Sequence, residues 1–335
     1  MEKRVRVLVA GGAGYIGSHT CKALAAAGHL PIVYDNLRTG HAWAVKWGPL
    51  EQGDLNDAAT LGAVMRRHRP EVVVNFAAMA YVGESTGEPT AYYRSNVAGM
   101  ITLIEAMRAH HVGSIVFSSS CATYGVPERV PIVESMAQQP INPYGRSKLM
   151  AEQILRDACV AHRIGAVVLR YFNAAGADPA GELGEEHDPE PHLIPLVLQA
   201  AAGRRPDIAV FGTDYDTPDG TCIRDYVHVS DLATAHVAAL AACRPGQFTA
   251  YNLGTGKGAS INEVIACARR VTGRPIAARA DARRAGDPPV LVADPSLAGR
   301  ALQWRPHHSE LADIIDHAWR WMSQHRTRVM AQHGR

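Results

Sequence analysis

The stretch Val9-Ala10-Gly11-Gly12-Ala13-Gly14-Tyr15-Ile16-Gly17-Ser18-His19 decides the fold. A short apolar run precedes it and a helical pattern follows. Gly12, Gly14 and Gly17 satisfy G-x-G-x-x-G, and Gly11, Gly14 and Gly17 satisfy G-x-x-G-x-x-G. Glycines there permit a tight strand-to-helix turn and let a pyrophosphate approach the N–H groups at the helix start. The competing reading is a glycine-rich turn with no ligand. It loses because the sequence on both sides fits a strand and a helix.

Outward from this turn, the first half of the 335-residue chain alternates short β-branched runs with longer helical patterns. Val5–Ala10, Pro31–Asp35, Val72–Ala77, Ser114–Ser119 and Ala166–Tyr171 read as strands. Runs such as Val72-Val73-Val74 are apolar throughout, as in strands covered on both faces. Helices are predicted near 16–27, 57–68, 89–110 and 144–162. This pattern predicts an α/β fold with a Rossmann-type, doubly wound parallel sheet.

Beyond Asn173 the composition shifts. Residues 174–191 are rich in Gly, Pro, Asp and Glu and read as a long functional loop. A helix near 192–203, an extended stretch at 208–211, a strand near 222–228 and helices near 230–243, 260–272 and 308–324 follow. The length predicts two domains, or one large domain with an appendage. On the two-domain reading, a cofactor domain covers 1–173, joined by a returning segment near 222–255. A smaller α/β substrate domain takes most of 174–335.

Net charge is +2, and the arginine pairs are scattered, so no nucleic-acid partner is implied. No apolar run approaches the ~20 residues that span a bilayer. Lys3 to Ala10 mixes basic and apolar residues but runs straight into the glycine turn, so it reads as a strand and not a signal peptide. Six scattered cysteines without Cys-x-x-Cys fit a reduced, cytoplasmic protein. His110-His111 and His307-His308 lack ligands at metal spacing and read as solvated histidines, so no metal is expected.

Two chemical signals stand out. Asp35 ends the second strand, about 20 positions after the glycines. It can accept hydrogen bonds from both adenosine ribose hydroxyls and would repel a 2′-phosphate, which favours NAD over NADP. Arg38 pulls the other way but lies beyond the strand tip. Tyr144 and Lys148 stand four apart in Pro-Tyr-Gly-Arg-Ser-Lys, hence on one helix face. A lysine charge beside a phenol favours phenolate, so the Tyr144 pKa is expected to fall from about 10 towards neutrality. Ser118-Ser119-Ser120 closes a strand beside them.

The chain resembles the UDP-glucose 4-epimerases (UDP-galactose 4-epimerases) of the extended short-chain dehydrogenase/reductase family. The likeness runs from Val7 to about Trp304. It is carried by residues 11–19, Tyr-Asp-Asn-Leu (34–37), Val-Gly-Glu-Ser (82–85), Tyr-Tyr-Arg-Ser-Asn-Val (92–97) and Leu-Arg-Tyr-Phe-Asn (169–173). Gly-Thr-Asp-Tyr-Asp-Thr-Pro-Asp-Gly-Thr (212–221), Arg-Asp-Tyr-Val-His-Val (224–229) and Arg-Arg-Ala-Gly-Asp (283–287) are its more specific parts.

The resemblance implies NAD as cofactor and Ser120, Tyr144 and Lys148 as catalytic residues. It implies cofactor contacts from Gly11, Gly14, Tyr15, Ile16, Gly17, Asp35, Asn36, Asp54, Leu55, Phe76, Ala77, Ala78, Asn96, Ser118, Tyr144, Lys148 and Tyr171. It implies a UDP-sugar held by Ser120, Tyr144, Asn173, His192, Leu193 and Phe211, with Arg224 and Arg284 on the diphosphate and Asp287 on the uridine ribose. Two guanidiniums from distant segments suit a diphosphate; Arg283 reads as a surface ion-pair residue. The implied reaction interconverts UDP-glucose and UDP-galactose by transient oxidation at C4, in a homodimer formed through the helices near 89–110 and 144–162.

Three departures matter. Residues 76–80 contain no lysine to touch the cofactor phosphates, Ala122 replaces a frequent threonine, and Leu291 stands where some members carry tyrosine. A smaller residue there would leave room for a 2-acetamido group, extending the reaction to UDP-N-acetylglucosamine and UDP-N-acetylgalactosamine. Epimerases of UDP-glucuronate or UDP-pentoses remain as alternatives. A 4,6-dehydratase is disfavoured, because Cys121-Ala122 replaces the Asp-Glu such enzymes carry. A non-catalytic NAD-binding sensor is disfavoured by the intact Ser120, Tyr144 and Lys148.

Overall fold

The computed structural model describes residues 4–284 and 287–333, with side chains of the last helix described through Gln324. The first half runs β1 (Arg6–Ala10), α1 (Tyr15–Ala26), β2 (Leu30–Asp35), β3 (Leu50–Gln52), α2 (Ala58–His68), β4 (Val72–Asn75), α3 (Val82–Gly87), α4 (Pro89–Tyr92), α5 (Gly99–Ala109), β5 (Ser114–Ser120), α6 (Pro143–His162) and β6 (Gly165–Tyr171). The second half adds β7 (Asn173–Ala175), α7 (Leu193–Ala201), β8 (Ile208–Phe211), β9 (Ile223–Arg224), β10 (Tyr226–His228), α8 (Val229–Leu240), β11 (Phe248–Leu253), β12 (Ala259–Ser260), α9 (Ile261–Thr272), β13 (Ala278–Asp281), β14 (Val290–Leu291), α10 (Ser296–Ala301) and α11 (Leu311–His333).

Seven strands form one parallel sheet in the order β3-β2-β1-β4-β5-β6-β11. The strand order reverses between β1 and β4. That switch point opens a crevice at the carboxyl ends of the strands, where open α/β sheets bind ligands. Alternation along β1 divides the core. Leu8 and Ala10 pack with Leu61, Met65, Leu103 and Leu155 on one face. Val7 and Val9 pack with Leu24, Val74, Leu232 and Ala235 on the other. A third apolar cluster joins α7, α9 and α11 through Ile194, Val197, Val264, Ile265, Ile314 and Ile315. A capping box of Ser260 and Glu263 starts α9.

Two predicted elements divide. The helix expected over 89–110 is α4 and α5 joined by a wide π turn at Tyr93–Ala98. Within it the Asn96 amide accepts from Met79 N at 2.8 Å and donates to Met79 O and Ser147 Oγ, each at 2.9 Å. The strand expected over 222–228 breaks at Asp225. Its buried carboxylate accepts from Thr255 N (2.9 Å), Thr255 Oγ1 (2.7 Å), Gly256 N (3.1 Å) and Ala293 N (3.2 Å), which diverts the backbone. The two halves then pair separately, β9 with β12 and β14, and β10 with β7. β3, α3, α10, β11 and β13 were not resolved as separate elements in the sequence.

A buried ion pair fixes α6 against the sheet. Glu152 lies two turns beyond Tyr144 on α6 and meets Arg170 of β6 at 2.6 Å, both fully buried. Ser119 donates to the same carboxylate at 2.6 Å and Gln138 at 3.1 Å. Arg170 also donates to the Tyr124 hydroxyl at 2.9 Å, which donates to Asn252 of β11 at 2.8 Å. Removing one member strands a charge in the interior. Glu152→Ala should therefore cost about 3–5 kcal/mol, read from urea denaturation; a loss below ~1 kcal/mol would contradict this account.

Candidate active site

The glycine turn closes as its sequence requires. Gly11 has φ +76°, and a Cβ there would meet Ala77 N at 2.6 Å. A Cβ on Gly17 would lie 2.1 Å from Gly11 O, so α1 could not sit against the turn. Gly14 differs, since its Cβ would meet only Gly11 O at 3.4 Å, an ordinary contact. The protein does not need a glycine there for its own packing. No side chain caps α1, so its first N–H groups face the crevice without intrahelical partners.

Asp35 accepts from Ala13 N at 2.9 Å and from Leu37 N at 2.8 Å, which aims the carboxylate at the turn. It retains lone pairs for further donors. Asn36 donates to Asp54 at 2.7 Å, tying the two expected adenosine-side residues together. Arg38 lies 3.9 Å from Glu84, on the exposed side. Tyr15 donates to Gly176 O at 2.6 Å. Phe76 packs against His236, its ring centroid 4.6 Å away. Ile16 and Leu55 face apolar clusters, and the Asn96 amide is taken up by Met79 and Ser147. Ala77 N bonds back to Ala10 O at 3.1 Å and holds the 76–78 backbone along the turn.

Ser120, Tyr144 and Lys148 converge in one buried corner. Asn142 caps α6 by accepting from Gly145 N at 2.8 Å, which sets Tyr144 in the first turn. Tyr144 is 8% exposed and Lys148 3%. Lys148 Nζ donates to Ser118 O at 2.8 Å and lies 5.9 Å from the Tyr144 ring centre. Ser118 and Tyr171 share a hydrogen bond of 2.6 Å.

The electrostatics correct one expectation. Lys148 does not bring Tyr144 towards neutrality in this geometry. Burial pushes the phenol well above its ordinary value, with Tyr171 adding to the rise and a hydrogen bond from Ser120 only partly opposing it. Burial also lowers Lys148 to about 7, against the pull of Glu152. A lysine half-neutral near pH 7 cannot offset the desolvation of a phenolate beside it. The pair needs a further positive charge before it can act as a base.

Four of the expected substrate residues meet in two pairs. Arg284 stacks over Phe211 at 4.0 Å, and Arg224 lies 3.7 Å from Asp287. Arg224 is also close enough to Cys121, the neighbour of Ser120, for its charge to oppose the burial that raises that thiol to about 12. Asn173 opens β7, paired with Tyr226. Arg283 forms the surface ion pair read from the sequence, with Asp214 at 2.7 Å. His192 and Leu193 begin α7, but the His192 ring points to Glu185 at 2.6 Å.

Sequence reasoning missed that neighbourhood. Glu185, His187, Glu190 and His192 bring four potential ligand atoms within 4.8 Å of one another. The adjacent-histidine pairs drew attention instead, although the spacing Glu-x-His-x-x-Glu-x-His was visible. His308 is not a solvated histidine either. Its ring lies tilted against buried His228, centroids 4.5 Å apart, and Asp231 anchors the segment by accepting from the N–H groups of His307 and His308 at 2.9 Å each.

The model of the NAD dependent epimerase/dehydratase family matches residues 7–254. A UDP-glucose 4-epimerase of Rhizobium meliloti is 51% identical over 319 residues, covering 95% of this chain and 97% of the relative. The chain belongs to the NAD dependent epimerase/dehydratase family. Among solved structures, UDP-glucose 4-epimerase of Brucella ovis in complex with NAD is 54% identical, with TM-score 0.91, covering 94% of this chain and 98% of that one. The Stenotrophomonas maltophila UDP-glucose 4-epimerase with bound NAD and formylated UDP-arabinopyranose is 40% identical, with TM-score 0.93, over 97% and 100% of the two chains.

NAD is the cofactor of this family member, and the turn fits it. Gly14 leaves a backbone cradle that a side chain would fill, and Asp35 is aimed at the place of a ribose diol. The two glycines should separate in experiment. Gly17→Ala should prevent folding to a soluble product, given its clash with Gly11 O. Gly14→Ala should keep stability within about 1 kcal/mol of the parent yet purify with less NAD, read from absorbance after acid release. Full NAD content in Gly14→Ala would show that this glycine does not face the cofactor.

Proposed function

We propose that this enzyme interconverts UDP-glucose and UDP-galactose by transient oxidation at sugar C4. The observation that carries the reading is the buried corner of Ser120, Tyr144 and Lys148, with Arg224 near Cys121, the neighbour of Ser120. Tyr144, as phenolate, takes the proton of the 4-hydroxyl, while the hydride leaves C4 of the same carbon–oxygen unit. NAD, when bound, supplies the hydride acceptor and adds a positive charge to the corner. Lys148 holds Ser118 O and stabilises the phenolate. Ser120 orients the 4-oxygen through its hydrogen bond to Tyr144. Arg224 and Arg284 grip the diphosphate and Asp287 the uridine ribose, while the 4-keto sugar turns over and takes the hydride back on its other face. Net redox is zero, so the cofactor stays bound through turnover.

Cys121 and Ala122 follow Ser120, and neither can serve as the acid a dehydratase needs. UDP-galactose conversion, coupled to UDP-glucose detection, tests the reading. Tyr144→Phe should lower kcat by roughly 10²–10⁴-fold while retaining NAD. An inactive parent would favour a sensor role, and turnover of UDP-glucuronate or a UDP-pentose alone would move the substrate assignment.

Leu291 supports a wider sugar range. It packs against the cluster of Cys121, Tyr124, Ile132, Phe172 and Ala293, next to Ser120. A leucine there leaves more room at C2 of the sugar than a tyrosine would. We expect turnover of UDP-N-acetylglucosamine. Leu291→Tyr should lower kcat/KM for it by roughly 10–200-fold and spare UDP-galactose; equal losses on both substrates would contradict this placement.

The same reading includes a cytoplasmic homodimer. Ile101 on α5 and Met150 and Val160 on α6 are exposed large apolar side chains on the two helices expected at the interface. No helix among the described residues is long and apolar enough to cross a membrane. Sedimentation of Val160→Glu beside the parent checks the dimer, with a shift towards monomer expected.

A further inference from the structure

The loop between β7 and α7 holds four donor side chains that the proposed reaction does not use. Glu185 and Glu190 have side chains only 5% and 6% exposed, and His187 only 13%. His192, at the start of α7, closes the group. Buried carboxylates and imidazoles at this density need strong partners.

The four side chains approach one another as ion pairs, not all of which meet hydrogen-bond geometry. Glu185 Oε1 and His187 Nδ1 are buried and have no hydrogen-bond partner. Yet His192 Nδ1 lies 2.6 Å and His187 Nδ1 3.4 Å from that oxygen. The atoms approach without aligning donor to acceptor. Glu190 faces the two imidazoles with different oxygens, Oε2 at 3.5 Å from His187 Nδ1 and Oε1 at 3.3 Å from His192 Nδ1. In a tetrahedral site with zinc–ligand bonds of about 2.0–2.1 Å, ligand atoms stand about 3.3 Å apart. With one oxygen taken from each carboxylate, two of the separations match that edge, Glu185 to His187 at 3.4 Å and Glu190 to one of the two imidazoles, and the four atoms all lie within 4.8 Å of one another. Oxygen and imidazole donors in equal number suit a divalent ion of the zinc class, and two carboxylates balance its charge.

We propose that Glu185, His187, Glu190 and His192 bind one divalent transition-metal ion, zinc or a close analogue, as a closed structural site. Four protein ligands leave no open position, so the ion pins structure and does no chemistry. It fastens the loop to the start of α7 and so fixes His192 and Leu193. Tyr81 packs its ring edge-on against both imidazoles, at 5.8 Å from His187 and 6.2 Å from His192. Glu190 Oε1 also accepts from His192 N at 3.0 Å, an outer contact that orients the carboxylate. A cavity of about 300 Å³ bordered by Glu185, His187, Glu190 and Trp321 provides an entry path.

The competing account is a metal-free cluster of two protonated imidazoles and two carboxylates. Untagged full-length protein, purified with its NAD, distinguishes the two. After incubation with zinc chloride and exhaustive dialysis, elemental analysis should find about one zinc per chain. Cobalt(II) in its place should give the intense visible bands of a tetrahedral site. Glu185→Gln and His187→Gln, shown folded by circular dichroism, should lose both signals. Less than ~0.1 equivalent retained by the parent, without a tetrahedral cobalt spectrum, would overturn the proposal whatever the variants do. Equal uptake by parent and folded variants would place the metal elsewhere and also overturn it. Both readouts need no substrate, so they stand apart from the sugar assignment.

Discussion

Burying a phenol and an ammonium in one corner is the constraint on which the rest of this structure depends. Each loses its hydration, and each is driven towards its neutral form. Burial raises Tyr144 and lowers Lys148 to about 7, so neither is ready for proton transfer in the protein alone. The fold supports this unfavourable pair from beneath. Tyr144, Lys148 and Glu152 lie four apart on α6, and the third of them is locked to Arg170. Beside the corner, the glycine turn presents the helix N-terminus where a dinucleotide can lie. On the proposed reading, the cofactor is both hydride acceptor and the missing charge, which couples catalytic competence to its presence.

Much of this was legible in the sequence. The turn at 11–17 could adopt few other shapes, because side chains at 11 or 17 would collide with Ala77 or Gly11. The strands of the first half were readable because parallel strands covered on both faces are continuous apolar runs. Tyr144 and Lys148 were brought together by helix periodicity alone. The pKa reading failed where periodicity says nothing: it gave the distance between the two groups but not the depth of their burial.

Elements set by tertiary contacts were also hidden. Asp225 breaks a strand because four donors from residues 255, 256 and 293 converge on it. No local pattern contains those partners. The π turn at Tyr93–Ala98 likewise coincides with the contact of Asn96 to Met79, 17 residues earlier. Glu185, His187 and Glu190 escaped notice, and His192 was read only as a substrate contact, because their loop has no periodicity. On the proposed reading, that loop and the Arg224–Asp287 and Phe211–Arg284 pairs hold the nucleotide end, and the apolar cluster around Leu291 leaves the sugar free to turn.

The central claim is that Tyr144 becomes a base only with the cofactor in place. It is tested most directly by titrating tyrosinate absorbance of the NAD-loaded and cofactor-stripped protein, each referenced to Tyr144→Phe. The account predicts one tyrosine titrating near neutrality in the loaded protein, and the same residue titrating above the ordinary value of about 10 in the stripped one. The same Tyr144 titration in both states would contradict it.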